Sequence, residues 1–277
     1  MQTALRHTDN GSFAPAGHLE FVRNRRRNQA FKKAFDHFAS GKTVLDVGTG
    51  SGLLAIYAAC AGAREVIAIE KDEKMAEIAR RNFERNGLGI IKLMIGDALS
   101  LTEIPSVDIV CGELLSTWCV AEPQIPVISH LLKILENKPI LVPRKIINLV
   151  QGVHATFGDE EGLVRFPTTY FEFDSTEKAL DVTPSVVASE ILFSAGMSPD
   201  ATIRITLTAM AKVQINALRL TSIVEIYPGI YFGAANDTMP AMIVPLPKEI
   251  SVVPGQIISL TISYTYGAGW ENFKVNG

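Results

Sequence analysis

The stretch DIVCGELLSTWCVAE, residues 108 to 122, carries an apolar run into two carboxylates, Glu113 and Glu122, nine residues apart. At about 100° per residue, nine steps along a helix put the two side chains on opposite faces, and the odd count does the same along a strand. No regular element can aim both at one point. Their cooperation requires an irregular loop at the mouth of a site that other residues must build.

A second candidate lies upstream in VLDVGTGSG, residues 44 to 52. Gly48, Gly50 and Gly52 allow a tight turn and a close approach of backbone to ligand, and the helix that follows offers unpaired N–H groups. A dinucleotide fingerprint would need its third glycine at position 53, where Leu53 stands. The spacing is instead G-x-G-x-G, with Asp46 two residues ahead. That pattern suits a ligand without a pyrophosphate and with a cationic amino group for Asp46 to hold, and S-adenosylmethionine meets both conditions. Glu70, at the end of the next apolar run, is placed to accept both ribose hydroxyls. Asp97 and Ala98, after the third run, would lie along the adenine edge. A ligand-free glycine turn and a nicotinamide or flavin enzyme are the alternatives.

These residues need a scaffold. Phe31, Ala34, Phe35 and Phe38 recur at helical spacing, which predicts a helix over residues 19–39 with Arg27 on its apolar side. A buried arginine needs an anionic partner. Arg25, Arg26, Lys32 and Lys33 point elsewhere, as a solvated face. From residue 43, the runs TVLDV, EVIAI, IIKLMI, VDIVC and PILVP alternate with helical stretches over residues 53–61, 72–86 and 125–135. Such alternation predicts a Rossmann-like, doubly wound α/β domain with a parallel sheet, residues 1–143 including the N-terminal helix. Beyond Pro143 the texture becomes rich in Val, Ile and Thr, with Gly, Pro, Asn and Asp between runs. That predicts a β-rich barrel or sandwich over residues 144–277.

The composition of the 277 residues, 47% hydrophobic and 20% charged, is that of a globular protein with a sizeable core. A formal net charge of −3 leaves no global basic excess to announce nucleic-acid binding. Cys60, Cys111 and Cys119 are odd in number and lack metal-ligand spacing, so no metal is expected and the thiols read as reduced. No run approaches the roughly 18 apolar residues of a membrane span, and the first residues are polar. The expected setting is cytoplasmic, without a membrane partner.

The glycine loop, Glu70 and the strand pattern resemble the class I S-adenosylmethionine-dependent methyltransferases over about the first half of the chain. The double-glutamate loop extends the resemblance to the protein arginine N-methyltransferase family, whose fourth strand delivers two glutamates nine residues apart to a guanidinium. The resemblance implies that Glu113 and Glu122 are the catalytic pair. Two carboxylates would fix a planar, multi-donor cation through charge-assisted hydrogen bonds and leave one nitrogen to attack the methyl group. They would also offset the positive charge that the nucleophile acquires. The family places a histidine, and nine residues later an arginine, near the cofactor's carboxylate; His18 and Arg27 match, and Phe31 falls on an aromatic position. Arg27's missing partner would then be that carboxylate, shared with Glu113.

The chain also departs from the family. A Tyr-Phe-x-x-Tyr element is absent from HTDNGSFAPAG before His18, Asn24 replaces an acid, and Thr238-Met239-Pro240 stands for a Thr-His-Trp loop. Leu114, Ser116 and Thr117 replace Trp, Gly and Tyr, and the β region reads too short for the family's dimerisation arm, leaving the oligomeric state open. The cofactor half is kept and the acceptor half altered, so the acceptor is a protein or another nitrogen-bearing substrate. One rival is an RNA methyltransferase using Arg23, Arg25, Arg26 and Arg27 with Lys32 and Lys33 as a phosphate footprint. Cys111-Gly112-Glu113-Leu114 stands where many base-amino methyltransferases carry Asn/Asp-Pro-Pro-aromatic. The other rival is a non-catalytic cofactor-binding scaffold.

Overall fold

Asn24 divides the predicted first helix in two. The chain forms α1 (Pro15–Arg23) and α2 (Arg25–Phe38), because Asn24 takes an extended conformation (φ −71°, ψ 95°) and its side chain accepts the Arg27 amide at 3.0 Å. This is an N-cap, which satisfies one of the new helix's free donors. The stripe of Ala30, Phe31, Ala34 and Phe35 is buried, while Arg25, Arg26, Lys32 and Lys33 are exposed. The structure, a computed structural model, describes residues 15–159, 161–172, 178–233 and 239–277.

The next elements are β1 (Thr43–Val47), α3 (Leu53–Cys60), β2 (Glu65–Glu70), α4 (Glu73–Arg85), β3 (Ile91–Ile95), β4 (Ile109–Gly112), α5 (Gln124–Ile134) and β5 (Ile140–Val142). The five strands form one parallel sheet in the order β3-β2-β1-β4-β5. Every residue of β1 and β4 is buried, which is why their sequences read as continuous apolar runs. Asp72 starts α4 by accepting the amides of Lys74 and Met75, and the helix buries Met75, Ala76, Ala79 and Phe83. The strand order reverses between β1 and β4, so a crevice opens at their carboxyl ends, the usual ligand position in such sheets.

Among the described residues, ten antiparallel strands follow: β6 (Lys145–His154), β7 (Tyr170–Glu172), β8 (Leu180–Asp181), β9 (Val186–Leu192), β10 (Asp200–Thr208), β11 (Val213–Tyr227), β12 (Ile230–Gly233), β13 (Ala241–Val252), β14 (Ile257–Thr265) and β15 (Lys274–Asn276). The larger sheet runs β7-β13-β11-β6-β8, with β12 on β11 and β9 on β6; the smaller is β10-β14-β15. Val150, Leu218, Leu220 and Val244 of the first pack with Ile205, Leu207, Leu260 and Ile262 of the second in one core. Burying each such side chain stabilises by about 1.5–3 kcal/mol. This two-layer, β-rich arrangement follows from the alternating Val, Ile and Thr pattern.

The parallel and antiparallel regions share a core. Phe31 of α2 lies against Phe232 of β12, ring centroids 5.8 Å apart, and Phe38 meets Tyr227 at 4.4 Å. Cys60 is exposed and Cys111 and Cys119 are buried, all three as free thiols. No helix among the described residues is long and apolar enough to cross a membrane.

Candidate active site

The glycine turn is held by two acids. Asp46 Oδ2 accepts the Thr49 hydroxyl at 2.6 Å and the Ala55 amide at 3.0 Å, tying the end of β1 to the first turn of α3. Glu70 Oε2 accepts the Gly50 amide at 2.8 Å and Oε1 the Asp72 amide at 3.0 Å. Gly50 has φ +56°, and a Cβ on it would stand 3.0 Å from the His18 ring. Any side chain would fill the space where the backbone now borders a cavity.

That cavity has a volume of about 750 Å³, within the range of small-molecule sites. His18, Arg27, Gly48, Gly50 and Glu70 line it on one side. Asp97 and Ala98 border it after β3, where Asp97 accepts the Leu99 amide at 2.9 Å. Glu113 and Glu122 line the same cavity, so the irregular loop does bring the two acids to one space. Asp46 and Gly52, expected at the ligand, are not among the residues that line the cavity. Asp46 is 1% exposed; its Oδ2 is spent on the loop, Oδ1 is buried without a hydrogen-bond partner, and burial pushes the carboxyl up to about 6. A Cβ at Gly52 would collide with the Phe83 ring, so this glycine admits α4. Burial also lowers the His18 pKa, against the opposing charges of Glu70 and Asp72.

Arg27 finds its anion within the protein. Its Nε and Nη2 donate to Glu113 Oε2 at 2.9 and 2.6 Å, and Nη1 donates to Asn28 Oδ1 at 2.8 Å. The guanidinium lies between the Phe21 and Phe31 rings, 5.5 and 5.3 Å from their centroids. The two side chains of the ion pair are only 6% and 4% exposed. Glu113 Oε1 is buried with no hydrogen-bond partner. Burial raises the Glu113 pKa, and Arg27 opposes the rise. Glu122 is pushed up to about 7, first by burial and then by the charge of Glu113, with Lys71 opposing.

The loop between the two acids is fixed from the β region. Trp118 and Cys119 have φ +61° and +54°, conformations that L-residues adopt at a cost of about 1–3 kcal/mol each. The surroundings hold them there. The Trp118 amide donates to Ser222 Oγ at 2.9 Å, and its indole Nε1 donates to the carbonyls of Leu149 and Thr221, each at 3.1 Å. Tyr264 donates its hydroxyl to the Trp118 carbonyl at 3.0 Å. Ser116 Oγ accepts the amides of Ala121 and Glu122, both at 3.0 Å, which orients the second acid.

Met239, aligned with the family's histidine, is 1% exposed and belongs to the shared core, away from the cavity wall. Thr238 and the segment of residues 7–14 lie outside the described residues. Three contributors escaped the sequence reading: Gln124, whose Oε1 accepts the Leu114 amide at 2.8 Å, and Trp270 and Glu271, which line the cavity from beyond β14. The glycine pair of YGAGWE, residues 266–271, was the available signal.

A glycine turn on β1, an acid ending β2 and the sheet order place the chain beside one class of enzymes. The family model described as Ribosomal protein L11 methyltransferase matches residues 31–140. An uncharacterised protein of Methanocaldococcus jannaschii is 26% identical over 95% of this chain and 96% of its own length. An arginine N(omega)-methyltransferase of Streptomyces achromogenes subsp. streptozoticus is 26% identical over 94% of this chain and 78% of its own. Among solved structures, the Trypanosoma brucei PRMT1 enzyme-prozyme complex superposes with a TM-score of 0.75 at 18% identity, covering 88% of this chain and 86% of that one. The chain resembles the class I S-adenosylmethionine-dependent methyltransferases. Within that class it resembles the protein arginine N-methyltransferases, with the same two-region architecture.

Proposed function

We propose that the protein transfers a methyl group from S-adenosylmethionine to a guanidinium-type nitrogen held between Glu113 and Glu122. The observation that carries this reading is the convergence of both glutamates on the cavity bordered by the glycine turn, with Glu113 Oε1 buried and unpartnered. A buried acceptor atom without a donor is costly, and a ligand N–H would satisfy it.

The residues fit the methyl donor on chemical grounds. Glu70 retains lone pairs beyond the two amides it accepts and would take the ribose hydroxyls. Arg27 retains N–H groups beyond those given to Glu113 and Asn28 and would face the donor's carboxylate. The backbone at Gly50 admits close approach. When bound, S-adenosylmethionine supplies an electrophilic methyl group on a sulfonium.

The protein's own part is positioning and electrostatics. Glu113 Oε1 and the Glu122 carboxylate would accept N–H groups from two sides of a planar cation and so fix its plane. Glu122, with a carboxyl near 7, can also take up a proton at its carboxylate oxygen when the acceptor nitrogen loses one. Two acids facing the acceptor favour a cation over the phosphates of RNA.

The test compares Glu122→Gln and Glu113→Gln with the unaltered protein. Transfer from labelled donor to arginine-containing peptides, and donor affinity by calorimetry, are measured side by side. Transfer should fall at least a hundredfold in Glu122→Gln with donor affinity largely retained, the loss expected for a group acting in the transition state. Unchanged turnover would remove the pair from the mechanism.

A further inference from the structure

Residues 267–271 reach the cavity without belonging to the glycine turn or to the double-glutamate loop. Gly267 and Gly269 have φ +74° and +92°, and their amides donate to the carbonyls of Cys119 and Val120, each at 3.0 Å. A Cβ on Gly267 would lie 3.1 Å from Pro123 Cα and 3.5 Å from the Glu122 carbonyl oxygen. The segment therefore lies flat against the backbone that carries Glu122, a contact only glycine permits at that φ.

Its side chains are braced. Trp270 packs on Phe273 with centroids 5.5 Å apart; Phe273 stacks on Tyr264 at 5.3 Å and meets Trp118 at 6.0 Å. Glu271 folds back over the turn, with Oε2 2.6 Å from where a Cβ on Gly269 would sit. Both side chains line the cavity beside Glu122. No Lys or Arg among the described residues forms an ion pair with Glu271.

Arg27 neutralises Glu113, and an acceptor guanidinium would face Glu122 together with Lys71. Neither Arg27 nor Lys71 is paired with Glu271, which lines the cavity together with Trp270, and a carboxylate and an aromatic ring on one wall suit a further cation. We propose that Trp270 and Glu271 form an acceptor-specificity wall that selects guanidinium acceptors carrying a second cationic group close to the first. This rests on the guanidinium reading above and names the substrate class within it.

The second cation could be the α-ammonium of a small molecule or a lysine flanking an arginine in a peptide, and the test separates the two. Methyl transfer is measured on L-argininamide against Nα-acetyl-L-argininamide, and on a capped Gly-Lys-Arg-Lys-Gly peptide against Gly-Gly-Arg-Gly-Gly. The protein should prefer the doubly charged member of at least one pair, and the pair preferred identifies the source. Glu271→Gln should shrink that preference about three- to fivefold, the scale of a partly exposed ion pair, through KM rather than kcat. Glu271 is exposed, so the variant should fold, which a melting curve verifies. Equal effects on both members of each pair, or none on either, would overturn the proposal while leaving the guanidinium reading in place. No transfer to any of the four probes by the unaltered protein would overturn both.

Discussion

Arg27 gives two of its donors to a single oxygen of Glu113, Oε2, and leaves Oε1 of the same carboxylate buried and unpaired. One oxygen of Glu113 is thus spent on structure, and the other is the one that the proposed function gives to the acceptor. The cation that stabilises the site also favours the ionised form of the acid, against the burial that raises its pKa.

Arg27→Ala should therefore cost about 3–5 kcal/mol, because it strands a buried carboxylate. Urea unfolding measures the loss, and calorimetry should show weaker binding of S-adenosylmethionine. The double variant Arg27→Ala with Glu113→Gln should be more stable than Arg27→Ala alone. Equal stability of the two would mean that Glu113 carries no charge in the folded protein.

On the proposed function, Glu122 should set an acid limb on activity. It must be ionised to hold a cation, so kcat/KM should fall as pH drops through about 7 and flatten above it. Stability runs the other way. The folded-state carboxyl lies above its ordinary value of 4.5, so the folded chain binds the extra proton between 4.5 and about 7 and loses stability as pH rises across that window. The loss is on the order of 3 kcal/mol. Asp46, raised from 3.8 to about 6, adds a loss of the same sign lower in the range. Glu122→Gln should remove the upper part of this slope, measured as unfolding midpoints from pH 5 to pH 8. An unaltered slope would place the titration elsewhere.

Gly50→Ala should weaken donor binding at least tenfold. Alanine at φ +56° costs about 1–2 kcal/mol, and its methyl would stand 3.0 Å from His18 on the cavity wall. Calorimetry reads the affinity and thermal unfolding the strain; retained affinity would mean that the donor does not approach this turn.

Trp118→Phe keeps most of the volume but leaves the carbonyls of Leu149 and Thr221 without the indole donor, a loss of about 1–3 kcal/mol. The expected signature is a raised KM for the acceptor with an unchanged Kd for the donor. A change in donor Kd instead would show that the loop's shape governs the cofactor side as well.

What could be read from the sequence was local. The glycine turn, Glu70 and the parallel strands announce themselves because backbone freedom, a strand-end acid and continuous apolar runs are written in neighbouring residues. Even the break at Asn24 had a local sign, a capping residue ahead of a helical stripe. For Asp46 the sequence leaves two orientations open, because a carboxylate before a glycine turn can face a ligand or the following helix, and only the three-dimensional packing shows that Oδ2 ties the turn to α3. The left-handed pair Trp118 and Cys119 had no local sign, since partners more than a hundred positions away, Ser222 and Tyr264, hold it. Trp270 and Glu271 had a local sign in the glycines at 267 and 269, but their place at the cavity depends on backbone bonds to the distant Cys119 and Val120.

The anchoring of residues 113–122 on Ser222, Tyr264 and Gly267 divides the molecule's evolutionary freedom. Changes in the parallel sheet act on the grip around the donor. Changes on β11, β14 or the turn after it would act first on the loop that carries Glu113 and Glu122 rather than on the glycine turn. On the proposed function, substitutions in a region without a catalytic carboxylate of its own would then alter the choice of acceptor. The same scaffold can serve new acceptors and inherit its chemistry intact.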